Sequence, residues 1–221
     1  MDDATAAQRW DAAYADVSEP GRPSELVTAH FELLADCGTA LDLAGGTGGT
    51  ALWLAERGIS TTLVDISGRA LGIANRAAAG RHIRLHTVRA DLETDPPPVR
   101  SELAGGVPST HSGDGWHALV CSNFFHPPLL AELASYLVPG GIAFVVVATV
   151  DNLQRNPRPG RRYLVERGEL PGLCEGLEPI SFAEDWFGGR HEARLVARRP
   201  GATGSAEQPV RWRRGGVGEQ A

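Results

Sequence analysis

The spacing of apolar positions changes at Thr39. Before it, residues 4–17 repeat at helical spacing and place Trp10 and Tyr14 on one face at i, i+4. Glu19-Pro20-Gly21-Arg22-Pro23 breaks that pattern, and Ser24 stands where the N-cap of a second helix reaching Asp36 is expected. From Thr39 onward, short apolar runs alternate with helical stretches, the mark of a parallel α/β sheet. The runs predict strands over 39–44, 60–65, 83–88, 117–122 and 142–148, joined by helices over 48–57, 67–79 and 127–137. Pro127-Pro128 suits a first helical turn, where proline's missing N–H costs nothing. Gly58 ends the first of these helices, and Pro139-Gly140-Gly141 ends the last and releases the chain into a Val-rich strand.

Beyond that strand, residues 151–165 are polar, Pro- and Arg-rich, and are expected to form a loop. Residues 177–183 and 192–199 alternate as two closing antiparallel strands would. Residues 95–115 predict a long loop, and residues 201–221, without periodicity, a disordered tail. The organisation expected is an N-terminal helical cap over 1–37, an α/β core over 38–200 and the tail.

Composition narrows the chemistry. All 21 Lys+Arg residues are arginine. Schiff-base catalysis needs an amine that can lose its proton, and a guanidinium does not. P-loop and protein-kinase chemistry each need a phosphate-binding lysine and are excluded as well. The formal net charge of -6 argues against a nucleic-acid partner, which calls for a basic face. The acidic start Met1-Asp2-Asp3 is unlike a signal peptide, and the longest apolar run, 142–148, is far short of the ~20 residues of a membrane span. Cys37, Cys121 and Cys174 are scattered and unpaired in sequence, which fits a cytoplasmic location and gives no zinc signature.

The main chemical signal is Leu41-Asp42-Leu43-Ala44-Gly45-Gly46-Thr47-Gly48-Gly49, between the first strand and its helix. Glycines there admit positive φ and a close approach of backbone to ligand, and the helix start that follows offers free N–H groups. Gly46 to Ala51 also satisfies the dinucleotide fingerprint G-x-G-x-x-A, and Asp65 closes the second strand where an acid accepts ribose hydroxyls. That geometry serves NAD and S-adenosylmethionine alike. Three features separate them: Asp42 would face an ammonium and repel a pyrophosphate, Asp91 at the end of the third strand can accept from an adenine amino group, and the 137–141 turn precedes the fifth strand.

Together these residues resemble the class I S-adenosylmethionine-dependent methyltransferases, from about Trp10 to Pro200. Arg9-Trp10-Asp11 with Tyr14, Leu52-Trp53-Leu54-Ala55-Glu56-Arg57-Gly58, and Arg162-Tyr163-Leu164 before Gly168-Glu169-Leu170 are similar to the branch related to bacterial tellurite-resistance methyltransferases. The resemblance implies a Rossmann-like, doubly wound, seven-stranded, mostly parallel sheet with an antiparallel closing strand. It implies S-adenosylmethionine as cofactor, held by Asp42, Ala44, Gly45, Gly46, Gly48, Asp65, Ile66, Asp91, Leu92 and Ser122, and a small-molecule methyl acceptor. Gly45 stands where the family often has Cys, a small-for-small change expected to leave binding intact.

Methyl transfer from a sulfonium is an in-line displacement in which alignment alone supplies ~7–11 kcal/mol of the barrier, so no acid or base is obligatory. If the acceptor must lose a proton, His126 after the fourth strand is the candidate base. Tyr14, Asn123, Arg162 and Tyr163 are the candidate substrate contacts, and the arginines of 155–162 are where an anionic acceptor would be held. Asp151-Asn152 resembles part of a catechol-type magnesium site, but Ser122 and Asn123 stand where its second acid is required, so no metal is expected. Two alternatives remain: an NAD-dependent oxidoreductase and a non-catalytic S-adenosylmethionine-binding module.

Overall fold

The computed structural model describes residues 5–100 and 115–201; the 201–221 tail beyond its first residue, and most of the 95–115 loop, lie outside the described residues. Among these residues the chain alternates as its apolar pattern predicts: β1 (Thr39–Leu43), α3 (Gly49–Ala55), β2 (Ser60–Asp65), α4 (Gly68–Gly80), β3 (His86–Arg89), β4 (Trp116–Ser122), α5 (Pro127–Tyr136) and β5 (Leu137–Ala148). Two helices precede this series, α1 (Ala6–Ala13) and α2 (Glu25–Ala29); a short α6 (Leu170–Leu173), β6 (Glu178–Phe187) and β7 (Arg190–Arg198) complete it. The seven strands form one sheet in the order β3-β2-β1-β4-β5-β7-β6. β1 to β5 run parallel, and β7 lies antiparallel between β5 and β6. No helix of the described residues is long and apolar enough to cross a membrane.

Alternation along each strand sends successive side chains to opposite faces, and both faces are covered. Leu41, Leu43, Leu119, Cys121, Val145 and Val147 pack with Leu129, Leu130 and Leu133 of α5 on one side. Ala40, Ala118, Val120, Phe144 and Val146 pack with Leu26 and Val27 of α2 and Leu54 of α3 on the other. α1 buries no residue, so the two N-terminal helices differ in kind: α2 is part of the core and α1 lies over it.

Four expectations need correction. The helix from Ser24 to Asp36 is five residues followed by a 3-10 turn, Phe31–Leu34. His30 breaks it: its Nδ1 engages the Leu26 carbonyl at 3.0 Å, a local side-chain bond that competes with helix propagation. Ser24 makes no side-chain cap bond. β3 begins at His86 because His82, at φ 55, is spent closing α4. β5 begins at Leu137, so Pro139-Gly140-Gly141 lies inside the strand rather than before it. A shifted register between Trp116 and Ala118 opposite Leu137 and Ile142 accommodates the turn there. The 151–165 loop contains two 3-10 turns, Val150–Gln154 and Arg161–Tyr163.

Candidate active site

The site begins where β1 ends. Ala44, Gly46 and Gly48 all have positive φ (51, 57 and 78°), a backbone course that glycine follows freely and alanine only under strain. Gly45 between them has no room for a side chain: a Cβ would lie 2.5 Å from Leu63 Cδ1 and 2.6 Å from the Asp42 carboxyl. The glycine found here in place of the family's frequent cysteine is thus the residue that this packing requires. Asp42 itself is buried, and its Oδ2 accepts the Ala51 amide of α3 at 3.1 Å. Burial pushes the carboxyl up to about 7; the Ala51 bond opposes that rise and the charge of Asp65 adds to it.

Asp65, at the end of β2, reaches back to the loop. Its Oδ2 accepts the Gly46 amide at 2.7 Å and its Oδ1 the Ser67 amide at 2.8 Å. Burial raises its pKa, and the backbone amides of Ser67, Gly46 and Ile66 hold the rise back. Two further segments close on the loop. The 21–24 strap donates its Gly21 and Ser24 amides to Thr47 Oγ1 (2.8 Å) and Thr50 Oγ1 (3.0 Å). α1 is latched by Asp11, whose Oδ1 accepts Ser67 Oγ at 2.6 Å and the Arg69 amide at 3.0 Å. That latch sets Tyr14, stacked with Trp10, so close to Gly46 that a Cβ there would lie 2.6 Å from the Tyr14 hydroxyl. Burial, with the charge of Asp65 behind it, raises the Tyr14 pKa.

Two clefts result. The larger, of about 380 Å³, within the ~300–1,000 Å³ of small-molecule sites, is lined by the strap, the glycine loop from Asp42 to Thr50, Ser122, Asn123, Val146, Glu192 and Arg194. The narrower contains Asp65, Ile66, Asp91, Leu92 and Phe124. Trp10, Tyr14, Ala44 and Asn123 line both. Asn123 takes a positive φ of 62°, and its Oδ1 accepts from Arg190 at 2.8 Å. Ser122 Oγ is the only buried side-chain polar atom without a hydrogen-bond partner among the described residues.

The expected residues thus divide. Asp42, Ala44, Gly45, Gly46, Asp65, Ile66, Asp91, Leu92, Ser122, Tyr14 and Asn123 line one cleft or both. Gly48 lines neither: it is the N-cap of α3, packed against Ala74 and Leu63. His126, the expected base, is the N-cap of α5 and lies beside Phe124, outside the lining of both clefts. Arg162 and Tyr163 are also outside, because the Arg162 guanidinium lies over the Tyr163 ring and bonds its hydroxyl. Two further loop arginines are occupied as well, Arg155 over Trp186 and Arg161 on Glu166. Glu192, Arg194 and the strap carried no signal read in the sequence. The one available was Glu192 and Arg194 two apart in the closing strand, hence on one face.

Asp151, Glu184 and His191 bring ligand atoms within 4.8 Å of one another. Arg167 already pairs with Asp151 at 2.5 Å and holds its carboxyl below the usual range. Asn152 is spent on backbone and Asn156, donating to the Arg158 carbonyl at 3.0 Å. These residues line neither cleft.

Residues 40–141 match the family model of a methyltransferase domain. No curated protein matches the chain in sequence. Solved structures share its fold at low identity. TehB from Haemophilus influenzae is 16% identical, over 87% of this chain and 67% of that one, with a TM-score of 0.65. A protein solved in work on converting a disulfide bond into a thioacetal group during echinomycin biosynthesis is 18% identical, over 89% and 92%, with a TM-score of 0.65. The N-methyltransferase NodS from Bradyrhizobium japonicum WM9 is 14% identical, over 78% and 93%, with a TM-score of 0.57. The match to a methyltransferase-domain model thus runs from β1 into β5, on a sheet of the order that those solved structures share.

Proposed function

We propose that the two clefts are one site for S-adenosylmethionine, and that the protein transfers its methyl group to a small-molecule acceptor by in-line displacement. The methionine end lies along the glycine loop and the adenosine over Asp65 and Asp91. The observation that carries this reading is the continuity of the clefts through Trp10, Tyr14, Ala44 and Asn123. A ligand with an amino-acid end and a nucleoside end needs such a two-part groove.

The donor set fits. Each Asp65 oxygen accepts one amide, and a carboxylate oxygen keeps a second lone pair for a ribose hydroxyl. The Asp42 carboxyl faces the ammonium, Ile66 and Leu92 flank the adenine, and Asp91 accepts from its amino group. Gly45 and Gly46 let the loop backbone lie against the methionine end, and Ser122 closes the far side. When bound, the cofactor supplies an activated methyl group. The protein supplies alignment, worth ~7–11 kcal/mol, and the Trp10–Tyr14 cover that excludes water. His126, outside the clefts, has no part in this reading.

Calorimetry with S-adenosylhomocysteine, alongside thermal shift with NADH, tests it. One-to-one binding of S-adenosylhomocysteine with no stabilisation by NADH is expected. Stabilisation by NADH alone, or by neither, overturns the reading.

A further inference from the structure

We infer that the β4–β5–β7 wall of the larger cleft is the acceptor subsite, and that it takes a small molecule presenting an uncharged O–H or N–H to Glu192, with Ser122 as its second contact. This rests on the cofactor placement proposed above. With the nucleoside end over β2 and β3, the part of the cleft left for an acceptor lies the other way along the sheet. Ser122 pairs with Val146, and Val146 with Arg194, so three adjacent strands present one row at the same level. Glu192 stands two residues from Arg194, on the same face.

Three observations set the chemistry of that wall. First, Glu192 is only 6% exposed, and its oxygens are unequally satisfied. Oε2 accepts Arg194 Nε at 3.0 Å and lies 3.0 Å from Nη2, whereas Oε1 has only Arg190 Nε at 3.8 Å, beyond hydrogen-bond reach. Second, Arg194 is engaged on its other side: it donates to Glu25 at 3.3 Å and lies over the Phe187 ring at 3.7 Å. The guanidinium is committed to protein carboxylates, so the polar group with capacity to spare is Glu192. Third, Ser122 Oγ is buried and has no partner. A native structure rarely leaves such a group unpaired without a use for it.

An anionic acceptor is disfavoured beside Glu192. Three carboxylates of the lining, Glu25, Asp42 and Glu192, face two guanidiniums, Arg22 and Arg194. A carboxylate or phosphate would have to approach Glu192 with both charges desolvated. The arginine-rich 155–162 loop, expected to hold such an anion, contributes no residue to the cleft. On transfer, the acceptor's lone pair forms the bond to the methyl carbon while the carbon–sulfur electron pair departs on sulfur. The acceptor's proton passes to Glu192 Oε1 and from there to water.

The test uses the full chain saturated with S-adenosylhomocysteine, its affinity measured by calorimetry in the same samples. Aniline, benzyl alcohol, benzoate and phenyl phosphate serve as probes in ligand-observed NMR. Aniline or benzyl alcohol should bind at least five-fold tighter than either anion, and which of the two binds better separates N–H from O–H acceptors. Glu192→Leu should abolish that preference, and Ser122→Ala, a change too small to unfold the chain, should weaken the neutral probe two- to five-fold. Anions bound as well as the neutral probes overturn the inference, as does the absence of binding by all four. An unchanged ranking in Ser122→Ala and in every folded Glu192 variant does so too. Failure of the wild-type protein to bind S-adenosylhomocysteine would fell the cofactor reading as well; normal binding with the wrong ranking fells this inference alone.

Discussion

Asp65 Oδ2 accepts the Gly46 amide at 2.7 Å, joining the end of β2 to the glycine loop across 19 residues of chain. The carboxylate thereby holds the loop in its course, and in the cofactor reading proposed above its remaining lone pairs take the ribose. Asp65→Ala removes both. Two amides at the loop lose their acceptor, which costs roughly 1–3 kcal/mol. In a chain this long that lowers Tm by about 2–4 °C for each kcal/mol lost. The ribose bonds, worth about 1.5–3 kcal/mol, should cost ten- to hundred-fold in affinity for S-adenosylhomocysteine. Thermal melts and calorimetry measure the two losses separately, and an unchanged Tm would contradict the structural role.

Asp42 gives the protein a pH dependence of definite sign. Its carboxyl is raised from 3.8 to about 7, first by burial. The folded state therefore binds its proton more tightly than the unfolded chain does between those values. Stability from this group is fully present below pH 3.8 and is lost as pH rises through 7, by up to about 4 kcal/mol. Asp42→Asn keeps an oxygen for the Ala51 amide and carries no charge. Its Tm should exceed the wild type's by more at pH 8 than at pH 5, and the difference should vanish only below pH 3.8. Equal melting of the two proteins at pH 8 would refute the buried charge.

The same carboxyl should govern cofactor affinity in the opposite direction. An ammonium binds the ionised form, so wild-type affinity for S-adenosylhomocysteine should fall as pH drops below about 7. Asp42→Asn should bind weakly with a flat profile over the same range. Calorimetry at pH 6 and pH 8 reads both, and an equal slope in the two proteins would free Asp42 of this role.

Gly45→Cys introduces the residue that the family often has at this position, and here it should destabilise. Leu63 and Asp42, which a Cβ would meet at 2.5 and 2.6 Å, are both buried, so their side chains would have to shift within the packed interior. Overpacking of this kind typically costs 1–3 kcal/mol, or about 2–12 °C in Tm. Gly45→Ala should show most of the loss, since the Cβ alone makes the contact. A melt within 1 °C of wild type for both would mean the loop relaxes more cheaply than its packing implies.

What was legible in the sequence was what depends on neighbours in the chain. β2 could be bounded to the residue because Gly58 and Asp65 punctuate it. The glycine loop announces itself because its backbone course demands those residues locally. Ile83 and Leu85 look like strand residues and suggest an early start to β3, and only the positive φ of His82 shows that they follow a helix end. The acceptor wall was hidden for a different reason. Ser122, Val146 and Arg194 meet through the sheet order β4-β5-β7, which no periodicity encodes. Arg162 and Tyr163 misled because an Arg beside a Tyr reads as recognition, whereas each satisfies the other.

The cover that α1 is proposed to form over the cofactor should be separable from the stability of the fold. α1 buries none of its residues, and the Asp11 carboxylate ties it to Ser67 and Arg69 at the start of α4. Those hydrogen bonds, with Arg89 and Arg69 nearby, hold the Asp11 carboxyl below its usual range. The latch is therefore complete above pH 3.8 and is lost only as pH falls through that depressed value. Asp11→Ala should release α1 at neutral pH and take Trp10 and Tyr14 away from Gly46. Hydrogen exchange at residues 6–14 should quicken toward that of unstructured chain, and affinity for S-adenosylhomocysteine should weaken several-fold. Tm should hardly move, because no core contact is lost. Unchanged exchange over that segment would show that α1 is held by something other than Asp11, and a large fall in Tm would show that the cover belongs to the core.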